Sequence, residues 1–254
     1  TDRRALWTFD GIIDGSQVSV SGATVYVGTS AHRLVALDAR TGLPLWSVRA
    51  PTSTAKMAID GDVAVVGGDG GGRASAIDLR THRVLWTLDT QAQRVATPVV
   101  VDGSAYVAGL LSGGRSGATS RLFSIDVGDG SVRWTFTPPD HVSLAAFAVT
   151  AHDVIVGSDT DQGVVYDLDR ADGRIRWRSA IGTAVDRPAV VGDTVYVGTG
   201  RGGLHALDLV AGQERWEVPV PGYSEGVVVT GGVAFVSSHD APDGPGSIAA
   251  FAVH

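Results

Sequence analysis

The chain has 254 residues, 44% of them hydrophobic and 19% charged, with a net charge of −7. That balance suits a globular fold and argues against a nucleic-acid surface, which needs clustered positive charge. The lack of cysteine rules out disulfides, zinc–thiolate sites and thiol nucleophiles, and no apolar run approaches the ~18 residues that cross a bilayer.

In chain order, a short strand over Ala5–Phe9 carries Trp7. Five segments of one pattern follow: ALDARTGLPLW (36–46), AIDLRTHRVLW (76–86), SIDVGDGSVRW (124–134), DLDRADGRIRW (167–177) and ALDLVAGQERW (206–216). Each sets a tryptophan eight residues after an aspartate, and self-similarity at this period marks a repeat architecture. Residues 185–216 illustrate one repeat. A short apolar strand, Pro188–Val191, turns at Gly192–Asp193 into the alternating strand Thr194–Gly198. A polar loop leads to Leu204–Leu207, and a turn at Ala211–Gly212 leads to the strand bearing Trp216. Four short antiparallel strands joined by turns form one propeller blade.

The turn before each tryptophan calls for positive φ, supplied by Gly42, Gly130, Gly173 and Gly212, with His82 as the non-glycine substitute. Two residues before four of the aspartates stands a small residue (Ala36, Ala76, Ser124, Ala206) against which an indole can pack; Asp167 breaks that rule. After Trp216 come three strands and no fourth. The expected fold is therefore all-β: a six-bladed β-propeller with four antiparallel strands per blade, the N-terminal strand completing the last blade. Blades are expected at about 16–49, 54–89, 94–137, 144–180, 185–219 and 223–254 plus 3–9, as a single domain over 1–254. Such closure removes exposed sheet edges. Loop length varies between second and third strands, most in 109–120 and 237–247. Such insertions tend to mark one face, often the binding face.

The segments VYVGTSAHRLVALDARTGLPLW (25–46) and VYVGTGRGGLHALDLVAGQERW (195–216) resemble the repeat of pyrroloquinoline-quinone-like β-propellers, and the resemblance covers essentially the whole chain. It implies tryptophan docking by Trp7, Trp46, Trp86, Trp134, Trp177 and Trp216. The quinone enzymes of the family have eight blades, a calcium ion and commonly a vicinal disulfide. Six expected blades, no cysteine and no asparagine depart from that pattern, so no quinone cofactor is expected. The chain is most similar to the sensor propellers of actinobacterial receptor kinases. That similarity implies an extracytoplasmic part of a longer polypeptide, fused to an upstream kinase. The start at Thr1 and the single Met57 fit a fragment of this kind.

Aligning the repeats brings Gln17, Lys56, Thr97, Arg187 and Asp186, Glu225 to equivalent channel-mouth positions, with Tyr223 nearby. Converging polar groups at a concave opening are the default ligand site. Lys56 and Arg187 suit a carboxylate or phosphate, and Asp186 and Glu225 an amine. The leading expectation is a non-catalytic sensor or binding domain for a small molecule or peptide, without nucleic-acid or direct membrane partners. The alternatives are a lyase, cyclase or hydrolase using Asp186, Glu225, Arg187 and His141, or a protein-interaction scaffold. No metal site is expected. His205 is read as packing between blades, and the acidic stretches at 158–161 and 239–243 lack a calcium loop's terminal carboxylate.

Overall fold

The computed structural model describes residues 5–10, 18–110, 120–139, 142–158, 163–183, 185, 187–239 and 246–253, and every regular element among them is a β-strand. The chain divides into two compact units, Thr1–Thr137 and Pro138–His254.

Among the described residues, the first unit holds three antiparallel sheets. The first contains β1 (Val18–Ser21), β2 (Thr24–Thr29), β3 (Arg33–Asp38) and β4 (Pro44–Arg49). The second contains β5 (Lys56–Asp60), β6 (Val63–Gly67), β7 (Arg73–Asp78) and β8 (Arg83–Asp89). The third contains β9 (Arg94–Val95), β10 (Val99–Val101), β11 (Ser104–Leu110), β12 (Arg121–Asp126) and β13 (Val132–Phe136).

The second unit also holds three sheets. The fourth sheet contains β14 (Leu144–Val149), β15 (Asp153–Ser158), β16 (Val164–Asp169) and β17 (Ile175–Ala180). The fifth contains β18 (Ala189–Val191), β19 (Thr194–Thr199), β20 (Gly203–Asp208) and β21 (Glu214–Pro219). Among the described residues the sixth has three strands, β22 (Tyr223–Thr230), β23 (Val233–His239) and β24 (Gly246–Ala252).

Register explains the repeated residues. Ala36, Ala76, Ser124 and Ala206 lie directly across from Trp46, Trp86, Trp134 and Trp216, and a bulge follows each pair. Directly opposed residues point to the same face of a sheet. In three repeats the next strand adds a tyrosine to that row: Tyr26, Tyr106 and Tyr196 lie 5.9 Å from the indoles of Trp46, Trp134 and Trp216. A small central residue lets the two rings meet over it.

The indoles of Trp46, Trp86 and Trp177 also reach forward to the turn of the next sheet. Trp86 Nε1 donates to Val127 O (2.8 Å), and Trp177 Nε1 donates to Leu209 O (2.8 Å). The rings lie on Gly130 and Gly212, both at positive φ (78° and 66°), where a Cβ would collide with the indole. Trp46 instead stacks on His82, with centroids 4.3 Å apart and planes at 28°; His82 holds φ 58°. The imidazole thus supplies a flat surface in place of the glycine.

The aspartate of each repeat is structural. Asp38 Oδ1 accepts from the amides of Arg40 and Thr41, and Asp208 Oδ1 from those of Val210 and Ala211. In three repeats an arginine beside the tryptophan takes the other oxygen: Arg133 on Asp126, Arg176 on Asp169, Arg215 on Asp208. These donors hold all three carboxyls below the usual aspartate range.

Two features depart from a uniform four-strand pattern. The third sheet gains β9, because residues 94–95 fold back onto the far end of the long β11. The sixth sheet has three strands, and residues 5–10 form no strand pairing among the described residues. Trp7 instead packs on the first sheet, with Nε1 donating to Ala39 O (3.0 Å) and its ring over Gly42. Together with Phe9 and Ala39 it covers the apolar face formed by Val25, Val27, Val35 and Leu37.

Candidate functional site

Lys56, the chain's one lysine, opens β5. The segment before it is pinned from both sides. Thr54 Oγ1 accepts from Thr29 N (3.1 Å) and donates to Arg33 O (3.1 Å), while Thr52 Oγ1 donates to Arg73 O (2.7 Å). Gly28 permits this crossing, since a Cβ there would strike the Thr54 carbonyl. On the other side, the glycine run 67–72 is packed onto the connection 89–95, with Val95 N donating to Gly68 O (2.9 Å) and Thr90 N to Gly72 O (3.0 Å).

Lys56 Nζ donates to Val95 O (3.3 Å) and lies 3.7 Å from Asp69 Oδ1. The Asp69 side chain is 72% exposed, and exposed ion pairs contribute only ~0–1 kcal/mol. Asp69 is therefore a weak competitor for an incoming anion. Thr97 is half-buried, two residues beyond the carbonyl that Lys56 reaches. The structure thus brings Lys56 and Thr97 into one neighbourhood of the first unit.

In the second unit, Tyr223 opens β22 with its ring exposed and 5.9 Å from that of His239, its register partner. Ser224 beside it is buried against Gly198, and its hydroxyl has no hydrogen-bond partner among the described residues. Arg187 is exposed, two residues beyond Val185, whose backbone bridges to Thr199. Gln17, His141 and Asp186 lie outside the described residues, as do most of 109–120 and 237–247; Glu225 lies in β22, and its side chain is not described.

Two departures from the repeat carry unusual chemistry. Asp167 takes the place of the small residue, between Ile155 and Trp177 in register. It is buried, and its Oδ1 has no hydrogen-bond partner among the described residues. Burial first, and then the neighbouring Asp153 carboxylate, push its pKa up to about 7, against the opposing pull of Arg176. The second departure is His205 on β20, buried between Glu214 and Glu217 of β21. Sequence reading noted the breach at Asp167 but not its charge state. It missed the His205 cluster, whose members join only through a hairpin register.

A small residue across from each repeat tryptophan but Trp177, with the indoles of Trp46, Trp86 and Trp177 over the turn of the following sheet, forms the internal signature of this chain. A family described as outer membrane protein assembly factor BamB matches residues 1–141 and 161–254. The chain belongs to this family of quinone-type propeller repeats. The BamB of Yersinia pestis is 26% identical over 240 residues, covering 86% of this chain and 60% of that protein. The serine/threonine-protein kinase AfsK of Streptomyces griseus is 30% identical over 206 residues, covering 77% of this chain and 20% of the kinase. The chain therefore spans less than two thirds of the BamB and about a fifth of the kinase. Among solved structures, BamB from Moraxella catarrhalis superposes with a TM-score of 0.56 at 20% identity, covering 92% of this chain and 82% of that one. A quinohemoprotein alcohol dehydrogenase from Pseudomonas putida superposes with a TM-score of 0.71 at 14% identity, covering 93% and 54%. At these identities the superpositions establish a shared fold only. Among the described residues no helix is long and apolar enough to cross a membrane.

Proposed function

We propose that the chain is one six-bladed propeller over residues 1–254, with the blade limits expected from the sequence and residues 3–9 as the fourth strand of the last blade. Trp7 supports this reading. It treats Ala39 and Gly42 as Trp86 treats Val127 and Gly130 of the sheet that follows it. Phe235 holds the place of Tyr26 and pairs with Ala250, as Tyr26 pairs with Ala36. Ala250 is thus the small residue that Trp7 would face. The exposed apolar row of Val228, Phe235 and Ile248 is a face that ring closure would cover. The test is a Thr8→Cys/Ala249→Cys pair in this cysteine-free background. Closure predicts a disulfide on mild oxidation and a raised Tm; a folded double variant that stays reduced overturns it.

We further propose that this propeller is a non-catalytic binding module. Its occupant is a small molecule or peptide bearing a carboxylate or phosphate, held by Lys56, Thr97, Arg187 and Tyr223 with Gln17, Asp186 and Glu225. The observation carrying this is Lys56: a positioned, partly exposed cation whose acidic neighbour holds it only at 3.7 Å. Similarity to AfsK supports an extracytoplasmic sensor part of a longer polypeptide, and similarity to BamB supports binding without chemistry. A thermal-shift screen of acidic peptides and small carboxylates is expected to yield ligands whose affinity falls at least tenfold in Lys56→Met. Ligands bound equally well by Lys56→Met and Tyr223→Ala would overturn the site. A protein-docking surface is the second reading, favoured by the exposed Leu43, Leu45, Val84 and Leu85 on or beside the outer strands β4 and β8. Leu43→Ser/Leu45→Ser would abolish partner capture under that reading and leave ligand binding unchanged under the first.

A further inference from the structure

We propose that His205, Glu214 and Glu217 form a binding site for a divalent first-row transition ion on the fifth sheet, of which Zn²⁺ is the natural probe. The three come from one hairpin. His205 lies directly across from Glu217 in the β20–β21 register, and Glu214 lies across from Leu207 beyond the bulge. His205 Nδ1 is 2.7 Å from Glu214 Oε1, and Nε2 is 3.7 Å from Glu217 Oε1. One donor atom from each residue falls within 4.8 Å of the others. The imidazole is 94% buried, with 6% of its side chain exposed, whereas the two carboxylates are 44% and 58% exposed. The site is thus anchored on a fixed ring and open to solvent on one side.

The other repeats act as controls within the same molecule. At the place of Glu214 they carry Pro44, Val84, Val132 and Ile175, and at the place of Glu217 they carry Ser47, Thr87, Thr135 and Arg178. At the place of His205 they carry Val35, Ser75, Phe123 and Tyr166. The sheet therefore forms four times without any of these ligand types. The residue two before His205 is equally informative. Arg33, Arg73 and Arg121 fill that place in the first three repeats, and Arg33 Nη2 reaches across to Ser47 Oγ (2.5 Å). In the fifth repeat the place is Gly203. A Cβ there would lie 2.8 Å from His205 Nε2, 3.1 Å from Thr199 Oγ1 and 3.3 Å from Glu217 Oε1. The fourth repeat carries Val164 there, so the fifth alone of these five repeats has no side chain at this place, which leaves the space beside Nε2 open. Among the described residues His205 is the one ion-pair partner of both carboxylates.

The chemistry fits a borderline metal. Glu214 accepting from Nδ1–H fixes the tautomer that turns the Nε2 lone pair toward Glu217, the carboxylate–histidine–metal arrangement that orients metal-bound imidazoles. Nε2 and a Glu217 oxygen then coordinate, at about 2.0–2.2 Å after a small side-chain movement, and water fills the open positions. Mixed imidazole and carboxylate donors suit Zn²⁺ better than Ca²⁺ or Mg²⁺, which prefer oxygen alone.

The test is Zn²⁺ titration of the intact chain by calorimetry at pH 7.5, with Co²⁺ absorption as a coordination signature. One ion per chain with a micromolar Kd is expected. Glu217→Gln should weaken it at least a hundredfold. Glu214→Gln, which leaves both coordinating atoms, should weaken it about 10–100-fold, as loss of an outer partner does. Gly203→Arg restores the residue of three other repeats and should abolish binding by displacing the His205 ring, with a lowered Tm but a far-UV circular dichroism spectrum that shows the fold retained. Saturable binding that survives both Gly203→Arg and Glu217→Gln, or no binding at one equivalent in the folded parent, overturns the site.

Discussion

Replacing Asp167 by alanine should stabilise the protein, by an amount that grows as pH rises from about 4.5 toward 7 and is then constant. In the other repeats this place holds Ala36, Ala76, Ser124 and Ala206, so alanine is already accommodated under a tryptophan. The carboxyl goes from 3.8 to about 7 on folding. A raised carboxyl pKa means the native state binds the proton more tightly. The native state is then unpenalised below 3.8, and it loses stability as pH rises toward 7, beyond which the loss is constant. At about 1.4 kcal/mol per pH unit, the wild type carries on the order of 4 kcal/mol of penalty at pH 8 and about 1 kcal/mol at pH 4.5. The small cavity left by the carboxyl returns about 1 kcal/mol of that. Asp167→Ala should therefore gain ~3 kcal/mol at pH 8, or roughly 6–12 °C in Tm for a chain of this size, and almost nothing at pH 4.5. The groups that set this titration are Asp153, Asp169 and Arg176. The facing side of the fifth sheet presents Val195, Val197 and Leu207, with His205 on the same side. Calorimetric scans of parent and variant at the two pH values decide the matter. A Tm difference that is the same at both, or a variant less stable at pH 8, would refute the argument.

Gly212→Ala should destabilise by several kcal/mol, since it adds a clash with the Trp177 ring to a strained φ of 66°; Gly192→Ala, at φ 61° in open space, should cost only about 1 kcal/mol by urea denaturation. His82→Gly relieves about 1–2 kcal/mol of left-handed strain and forfeits about 0.5–1.5 kcal/mol of stacking on Trp46, so its stability should stay within ~1 kcal/mol of the parent; His82→Val, which keeps the strain and loses the flat surface, should fall well below both. Arg215→Ala should raise the titration of Asp193 and Asp208, both held low by that guanidinium, as read from carboxyl NMR shifts. Depressed carboxyls stabilise above their unfolded pKa and lose that contribution as pH falls through the native value, so Arg215→Ala should flatten the acid limb of the stability profile.

What was legible in the sequence is what recurs. A tryptophan eight residues after an aspartate is repeated often enough to show its purpose, and the register gives the physical reason: the aspartate caps the turn while the indole faces the small residue across the strand. His82 was legible for the same reason, because a gap in a glycine column names the conformation its occupant must adopt. The binding residues were harder to read. Alignment on strand centres placed Lys56 and Thr97 at comparable heights, but the contact of Lys56 with the Val95 carbonyl depends on how residues 89–95 fold over the glycine run. A glycine-rich segment specifies that path weakly.

His205, Glu214 and Glu217 escaped for another reason. Their spacing matches no helical or loop motif, and only the bulge after Ala206 fixes Glu214 close enough to reach Nδ1. In a repeat protein the informative positions are then those where one copy departs from its siblings. Where the substitute is apolar, the departure is absorbed by packing, as Ile155 takes the place of Tyr26, Tyr106 and Tyr196. Where the substitute is ionisable and buried, as at Asp167 and His205, neighbouring copies of the same sheet show that folding does not require it. Its retention must then be answered by what it titrates or what it binds.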